Sequence, residues 1–313
     1  MMDLKQMRYV LAIADTGNIT KAAEKVYVTR SALNYSLLNL ENEIGLPLFK
    51  RIHNNMIPTT AGEVYLAHAR QILNLTDECN KTLKDMVDGT KGCLNIGITP
   101  GHGQSVFSTV FPKFYHAYPK YDFHLMEGNV KVLYSYLLDG KIDFAWAGFY
   151  REQAGIQHDI LDRQEVLLAV PEEKSIFRSS SSFIQEVPID LNLFRNETFI
   201  LMNSNSLIRE ISDLYFEEAG FKPHVIFECS KINMAHSFVK DGIALSFVPR
   251  NLCFKNHGVI YYPLKSKKYF SLAISWREGS YLTKAEQFFI QLIHQNYQDV
   301  IYSELESNRF EIE

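Results

Sequence analysis

Two short helices joined by a tight turn near the amino terminus constrain this chain more than any other feature of its sequence. The first of the pair begins near Thr20, which is placed to cap it, and the chain then turns at residues 27–28. Thr29 caps the second helix, where Leu33 and Leu37 lie on one face at helical spacing. Two helices joined so briefly predict a helix-turn-helix, a motif that lays its second helix in the major groove of DNA.

The elements on either side of this pair predict a winged helix. Upstream, Asp3 is placed to cap a helix whose apolar residues recur at helical spacing and stop at Gly17. Downstream, the basic and amide-rich residues 50–55 separate two apolar ends, which is the pattern of a small hairpin or wing. Thr60 and Glu63 then match a capping box, so we expect a further helix to begin there.

This further helix is unusually long. No proline or glycine interrupts the sequence between Gly62 and Gly89, and about 27 residues at about 1.5 Å each make a rod about 40 Å long. Apolar and small residues recur along one side: Leu66, Ala69, Leu73, Thr76, Cys79 or Asn80, Leu83 and Val87. A small domain cannot bury a stripe of that length, so we expect the helix to pair with its counterpart in a second subunit.

From about residue 91 onward, short apolar runs alternate with helical segments. The runs that predict strands are 94–98, 123–128, 143–148, 166–170, 198–202, 224–229, 244–249 and 271–276. The segments that predict helices are 105–118, 130–139, 206–219, 231–241 and 284–298. This alternation predicts an α/β domain, and the polar stretches 153–159 and 179–182 predict exposed loops.

Composition limits the class of protein. The net charge of −4 excludes a polycation that coats nucleic acid, so any nucleic-acid contact must be local. The sequence has no run of 18 apolar residues and no leader-like amino terminus, so we expect a cytoplasmic protein that does not contact the membrane. The four cysteines, Cys79, Cys93, Cys229 and Cys253, lie too far apart in the sequence for a disulfide framework or a metal site. We expect them to be buried, inert thiols, and a redox role stays open as the alternative.

The second helix of the pair directs polar side chains away from its leucines near its start. Arg30 can donate two hydrogen bonds to guanine, Asn34 can pair with adenine, and Ser31 and Tyr35 can reach phosphate or a thymine methyl group. Further DNA contacts are expected from the neighbouring helix, the cap and the wing: Thr20, Lys21, Thr29, Lys50, Arg51 and His53. The alternative is that these residues form an ordinary solvated helix face.

Residues 3–75 resemble the N-terminal domain and linker helix of LysR-type transcriptional regulators. The resemblance is carried by G-N-I-T-K-A-A-E at 17–24, T-R-S-A-L-N-Y-S-L at 29–37, L-P-L-F-x-R at 46–51 and T-x-A-G-E at 59–63. The rest of the chain is similar to the effector-binding domain of that family in these stretches: 111–119, 137–145, 216–223 and 239–249. The resemblance implies a sequence-specific DNA-binding transcriptional regulator, not an enzyme, whose C-terminal domain binds a small-molecule effector.

The fold that the resemblance implies is α+β and multidomain. It comprises a winged helix-turn-helix DNA-binding domain at 1–60, a linker and dimerisation helix at 61–90, an effector-binding domain at 91–300 and a tail at 301–313. The effector-binding domain would have two α/β lobes, as in type 2 periplasmic binding proteins. Lobe I would comprise 92–162 and 267–300, and lobe II 163–266, with crossovers near Asp162 and Leu264.

By the same resemblance, the effector lies between the lobes, at carboxyl ends of strands where helix N-termini offer N–H groups. The residues at the matching positions are Thr99, Pro100, Gly101, His102, Gly103, Gly128, Asn129, Asn203, Ser204, Asn205, Ser206, Ser230 and Phe247. Thr99, Ser204 and the backbone of 101–103 would suit a small carboxylate or another polar organic metabolite. We expect no cofactor and no metal.

The recognition helix departs from the pattern of the family. Arg30 and Ser31 stand where Gln and then Pro or Ser are usual, so we expect an unusual operator, read as an inverted repeat by a homodimer or homotetramer. RNA polymerase is a further partner that such a regulator could contact. Two alternatives stay open: a constitutive DNA-binding regulator without a ligand, and an enzyme or solute-binding protein on the same two-lobed fold. Neither a G-x-S-x-G motif nor a nucleophile-base pairing accompanies the G-H-G of 101–103.

Overall fold

The computed structural model describes residues 3–53, 55–99, 109–176, 183–253, 258–297 and 299. The chain divides into two units, Met1–Val87 and Asp88–Glu313. Unit one contains these elements: α1 (Leu4–Thr16), α2 (Ile19–Lys25), α3 (Arg30–Ile44), β1 (Phe49–Ile52), β2 (Asn55–Pro58) and α4 (Thr60–Asp88). The predicted helix-turn-helix, wing and long helix are therefore confirmed as elements.

Local capping explains where the first helices begin and end. The Lys5 N–H donates to Asp3 Oδ1 at the start of α1, which confirms the predicted cap. Gly17 ends α1 with φ of 60°, and Gly45 ends α3 with φ of 78°. Glycine adopts this left-handed conformation without the steric cost of a side chain, so both helices stop where the sequence predicts.

Two predicted caps are wrong by one or two residues. Asn18, not Thr20, caps α2, because Asn18 Oδ1 accepts from the N–H groups of Thr20 and Lys21 at 2.8 and 3.2 Å. Thr59, not Thr60, precedes α4, and Thr59 Oγ1 accepts from the Gly62 N–H at 3.0 Å. In both places two neighbouring residues could serve as caps, and the backbone path selects the earlier one.

The first part of α4 belongs to the core of the DNA-binding unit. Leu66, Ala69 and Leu73 are buried together with the leucines of α3, so this half of the stripe is already covered within unit one. Farther along, Leu83 and Val87 are 55% and 87% exposed. The expectation of a wholly uncovered stripe is therefore wrong for its first half, because the winged helix folds back onto the base of α4.

Unit two contains nine longer strands and five α-helices among its described residues. In chain order they are β3 (Lys91–Ile98), α5 (Phe111–Ala117), β4 (Lys120–Glu127), α6 (Val130–Leu138), β5 (Phe144–Phe149), β6 (Ile156–Pro171), β7 (Thr198–Met202), α7 (Leu207–Ala219), β8 (His224–Cys229), α8 (Ile232–Lys240), β9 (Ser246–Pro249), β10 (Val259–Tyr262), β11 (Tyr269–Arg277) and α9 (Lys284–Gln295). Short 3-10 turns cover Glu172–Lys174, Leu191–Phe194 and Arg250–Leu252.

The strands of unit two form two lobes that share one strand. In the larger sheet, the order is β10-β6-β11-β5-β3-β4, with β9 also paired to β6. β3 is parallel to β4 and β5, whereas β11 is antiparallel to β5 and β6. Along β6, residues 156–165 pair with β11, and residues 166–171 pair with β9 and β10. β7 and β8 form a parallel pair in the second lobe.

The sequence misses part of β6 and all of β10. The loop expected at 153–159 is wrong from Ile156 onward, because Ile156–Asp159 pairs with the end of β11. This half of β6 is a mixture of exposed and half-buried residues, most of them polar, and lacks the apolar run that marks 166–170. The expected loop at 179–182 and the helical segment at 105–108 lie outside the described residues.

Candidate DNA-binding surface and effector cavity

The amino-terminal turns of α3 separate into a buried and an exposed face. Leu33, Leu37 and Leu40 are buried in the core of unit one. Thr29 Oγ1 accepts from the Ala32 N–H at 3.2 Å, so the helix begins at Arg30. Arg30, Ser31 and Tyr35 are exposed, and Asn34 is half-buried. An exposed polar helix face with a rigid apolar back is the geometry that major-groove reading requires.

The wing lies next to this helix and contributes cations. β1 and β2 are antiparallel, with Lys50 and Arg51 exposed on β1 and His53 in the turn with φ of 54°. Arg51 Nη2 donates to Asn34 Oδ1 at 3.4 Å, so a wing side chain reaches the recognition helix. A polar cavity of about 190 Å³ is lined by Asn18, Ile19, Thr20, Arg30, Arg51, His53 and Met56.

Most of the residues predicted to contact DNA therefore come together on one side of unit one. Thr20 and Lys21 are exposed on the first turn of α2, while Thr29 caps α3. The nearby Lys25 is bound by Asp15, whose Oδ2 lies 2.8 Å from Lys25 Nζ. Asn18 lines the same cavity but was not predicted as a member of this surface. Asparagine is a preferred helix cap, so its position just before α2 could have indicated that it lies beside Thr20.

A cavity of about 250 Å³ lies between the two lobes of unit two. Six of the predicted effector residues line it: Thr99, Asn129, Asn203, Asn205, Ser206 and Ser230. Gly128, Ser204 and Phe247 are not among its described lining, and Phe247 is buried in the lobe II core, stacked on Tyr215 with ring centroids 5.6 Å apart. Pro100, Gly101, His102 and Gly103 lie outside the described residues.

Several lining residues were missed by the sequence. Asn251 is a polar residue of the lining whose own sequence neighbourhood gave no indication of this role. The apolar part of the lining comes from both lobes: Val130, Met202, Leu207, Ile208, Ile232, Pro249, Leu252, Phe270 and Leu272. These side chains meet only through the tertiary fold, so no local pattern indicates them.

Three helices begin at the cavity, which gives it a positive electrostatic character. Asn129 caps α6 and Ser206 caps α7, and each accepts a hydrogen bond from a first-turn N–H. Ser230 and Ile232 place the start of α8 at the same cavity, where the cap residue Lys231 makes no side-chain cap hydrogen bond. Partial positive charge at helix N-termini favours an anionic or strongly polar ligand.

The cysteines divide into two kinds. Cys229 and Cys253 are buried, and desolvation raises the pKa of both thiols, as expected for inert cysteines. Cys79 and Cys93 are exposed, so the expectation of burial is wrong for these two. Among the described residues, no group of three His, Cys, Asp or Glu side chains could hold a metal ion. No helix in the described part of the chain is long and apolar enough to cross a membrane.

A winged helix-turn-helix joined to a two-lobed domain with a central cavity defines a ligand-responsive transcriptional regulator. Residues 88–298 match the LysR substrate binding domain, and residues 4–63 match the bacterial regulatory helix-turn-helix protein of the lysR family. The chain belongs to the LysR family of transcriptional regulators, with a helix-turn-helix DNA-binding domain and an effector-binding domain. Its relatives are regulators rather than enzymes.

Individual relatives extend over most of the chain. The uncharacterized HTH-type transcriptional regulator YcgK of Bacillus subtilis (strain 168) is 29% identical over 306 residues, covering 93% of this chain and 94% of that protein. The transcriptional dual regulator GltC of the same organism is 26% identical over 251 residues, covering 80% of this chain and 81% of that protein.

Solved structures share the fold at low sequence identity. A full-length OxyR variant from Pseudomonas aeruginosa has a TM-score of 0.66 at 19% identity, covering 94% of this chain and 98% of that one. Full-length CbnR in complex with its target DNA has a TM-score of 0.53 at 20% identity, covering 94% of this chain and 99% of that one.

Proposed function

We propose that α3 is the recognition helix and that its first two turns read the base edges of a specific operator. One observation carries this proposal: Arg30, Ser31 and Tyr35 are exposed while Leu33 and Leu37 are buried directly behind them. The helix can therefore enter a major groove without uncovering its apolar face. The full contact surface in this proposal is Thr20, Lys21, Thr29, Arg30, Ser31, Asn34, Tyr35, Lys50, Arg51 and His53.

The test is operator selection from a random double-stranded DNA library, followed by titration of the selected sequence. Replacing Arg30 and Asn34 together with alanine removes two side chains suited to bidentate base contacts, so we expect a loss of at least about 2 kcal/mol, roughly thirtyfold in affinity. Lys25→Ala is the matched control, because Asp15 already binds that ammonium group. Unchanged affinity and selectivity of the folded double variant would contradict the proposal.

The effector-binding domain is proposed to hold a polar organic metabolite in the cavity between its lobes. Thr99, Asn129, Asn203 and Ser230 support this site because they line the cavity at the ends of strands and the starts of helices. The remaining expected contacts stay part of the proposal: Pro100, Gly101, His102, Gly103, Gly128, Ser204 and Phe247. A true effector at 100 times its Kd stabilises the protein by about 2.7 kcal/mol, which a thermal-shift screen of metabolites detects.

A pair of leucine variants tests the location of this site. Asn203→Leu places a bulky apolar side chain in the cavity lining and should abolish the stabilisation by any hit. Asn196→Leu makes the same change at an exposed position outside the described lining and should leave the stabilisation intact. A hit that stabilises both variants equally well binds elsewhere, and the cavity proposal then fails.

The protein is proposed to act as a homo-oligomer, a dimer or tetramer assembled through α4, on an inverted repeat. Support comes from the exposed apolar residues of the second half of that helix, such as Leu75 and Leu83, which are 69% and 55% exposed. Leu75→Glu should weaken the dimer in analytical ultracentrifugation, because it places a charge among these exposed apolar residues. Lys84→Glu, on the opposite side of the helix, should leave the dimer intact. Equal effects of the two variants would refute this interface.

In mechanism, an effector between the lobes would favour one lobe arrangement and so change the spacing of the DNA-binding heads. The proposed domain bounds are 1–60, 61–90 and 91–300, with a tail at 301–313 and lobe crossovers near Asp162 and Leu264. We propose that the protein acts in the cytoplasm, where RNA polymerase is a further proposed partner. Identical footprints with and without effector would refute the coupling.

A further inference from the structure

The cavity between the lobes has two kinds of wall. Amide and hydroxyl groups of Thr99, Asn129, Asn203 and Ser230 face it beside a larger apolar surface that includes Phe270. At about 250 Å³, the cavity is slightly smaller than typical ligand sites of about 300–1,000 Å³. Removing water from the apolar wall contributes favourably to binding only when an apolar part of the ligand covers that wall. The occupant should therefore be small and partly apolar.

No charged side chain contributes to the described lining of this cavity. The two arginines next to lining residues are already neutralised by carboxylates. Arg209 lies within 2.9 Å of Asp213 and 2.6 Å of Glu228, and Arg250 lies 3.0 Å from Glu165. Lys131, beside Val130, and Lys231, beside Ser230, are exposed to solvent. Among the described residues, the positive field in the cavity therefore comes from backbone N–H groups rather than from side-chain cations.

The three helix N-termini fix how much negative charge this field can balance. Each end carries roughly half an elementary charge, so α6, α7 and α8 together supply about one and a half positive charges, which balances one carboxylate fully. A second carboxylate, or the second charge of a phosphate ester, would be buried with only part of its charge balanced, which is costly. A cationic ligand would face repulsion from all three helix ends.

Two buried oxygen atoms at the cavity point to a hydrogen-bonding ligand. Thr99 Oγ1 and Asn251 Oδ1 are fully buried, and neither has a hydrogen-bond partner among the described residues. A native structure rarely leaves such groups unsatisfied, and a threonine hydroxyl can donate to a carboxylate. Building on the effector function proposed above, we propose that the effector is a small monocarboxylate with an apolar body.

The test is isothermal titration calorimetry of the full-length protein with matched probes. The probes are benzoate, benzamide, phthalate and benzylamine, which vary the charge on one ring, and hexanoate with hexanamide, which vary it on a linear chain. We expect at least one monocarboxylate to bind about tenfold or more tightly than its amide, because hydrogen bonds to charged groups are the stronger ones. Phthalate should bind more weakly than benzoate, and benzylamine should not bind.

Substitutions then connect this selectivity to the cavity. Thr99→Val keeps the side-chain volume but removes the hydroxyl, and should weaken the monocarboxylate about tenfold. Asn251→Asp adds a negative charge to the wall and should weaken the carboxylate while leaving the amide unaffected. Asn196→Ala, at an exposed position outside the described lining, is the matched control and should change neither affinity.

Several outcomes would overturn the inference. Equal binding of acid and amide, tighter binding of phthalate than of benzoate, or no binding of either monocarboxylate at about 10 mM would each do so. The proposed function is judged separately by the metabolite screen. A hit of another chemical class that Asn203→Leu abolishes would overturn the monocarboxylate and leave the effector site standing, whereas the absence of any hit would overturn both.

Discussion

Gly62 is the point at which α4 passes closest to the connection that leads into the wing. A Cβ atom at this position would lie 2.0 Å from the Leu48 carbonyl oxygen and 3.0 Å from its carbonyl carbon. Both are backbone atoms, so relief requires the helix or the wing to move. The same carbonyl accepts from the Thr59 N–H at 2.9 Å, which links the two segments just before α4 begins.

Gly62→Ala sets two effects of opposite sign against each other. Alanine in a helix is favoured over glycine by about 1 kcal/mol, whereas overpacking costs about 1–3 kcal/mol and more when backbone must shift. A separation of 2.0 Å is far inside van der Waals contact, so the steric cost wins. We expect unit one to lose about 1–3 kcal/mol of its free energy of unfolding. The close approach of α4 to the Leu48 carbonyl would then explain why the T-x-A-G-E pattern has glycine at this position.

Urea unfolding with two probes measures this prediction. Both tryptophans of the chain, Trp146 and Trp276, lie in unit two, so their fluorescence monitors that unit, while circular dichroism at about 222 nm also detects the helices of unit one. The helical transition of unit one should move to lower urea, and the fluorescence transition should stay. Gly45→Ala is the control: it has φ of 78° but nothing within 4 Å, so it carries only backbone strain. A Gly62→Ala variant as stable as wild type would refute the reasoning.

Three further predictions concern single groups. Thr29→Ala removes the α3 cap and should cost about 0.5–2 kcal/mol in urea unfolding of unit one; an unchanged midpoint would contradict the cap. Burial lowers the pKa of His236 to about 4, so below pH 7 the unfolded chain binds a proton at this histidine more readily than the folded chain does. The free energy of unfolding of unit two, monitored by fluorescence, should therefore fall by up to about 3 kcal/mol from pH 7 towards pH 4. The fall should be smaller in His236→Phe. In Arg250→Met, the buried Glu165 carboxylate keeps only Lys267, at 3.9 Å, as a cationic partner among the described residues, so the free energy of unfolding should fall by about 1–3 kcal/mol at pH 7. If Arg250→Met causes the same loss when Glu165 is already replaced with glutamine, the ion pair is not its cause.

Local patterns were enough to predict the DNA-binding unit. The leucine spacing of α3, the cap at Thr29 and the stops at Gly17 and Gly45 are all determined by neighbours within a few residues, and the structure confirms them. The errors at Thr20 and Thr60 arise where two capping residues compete, and the tertiary path of the backbone decides between them.

The cavity could be predicted only in part. Thr99, Asn129 and Ser230 follow apolar strands and precede or face helix starts, so their positions were visible in the sequence. Asn251 lies on a 3-10 turn after β9, and its neighbourhood depends on strands that are far apart in the chain. The first half of β6 was not predicted as a strand for a related reason. Its polar residues form a strand because they pair with β11, which is distant in the sequence.

β6 belongs to both lobes without a break. Glu165 is its last residue paired with β11, and Val166 is its first residue paired with β9. Sliding such a strand by one residue would turn every side chain to the opposite face, so both halves hold their alignment. Because the shared strand has a fixed register in both lobes, we expect an effector to change the angle between the lobes rather than to slide one lobe past the other.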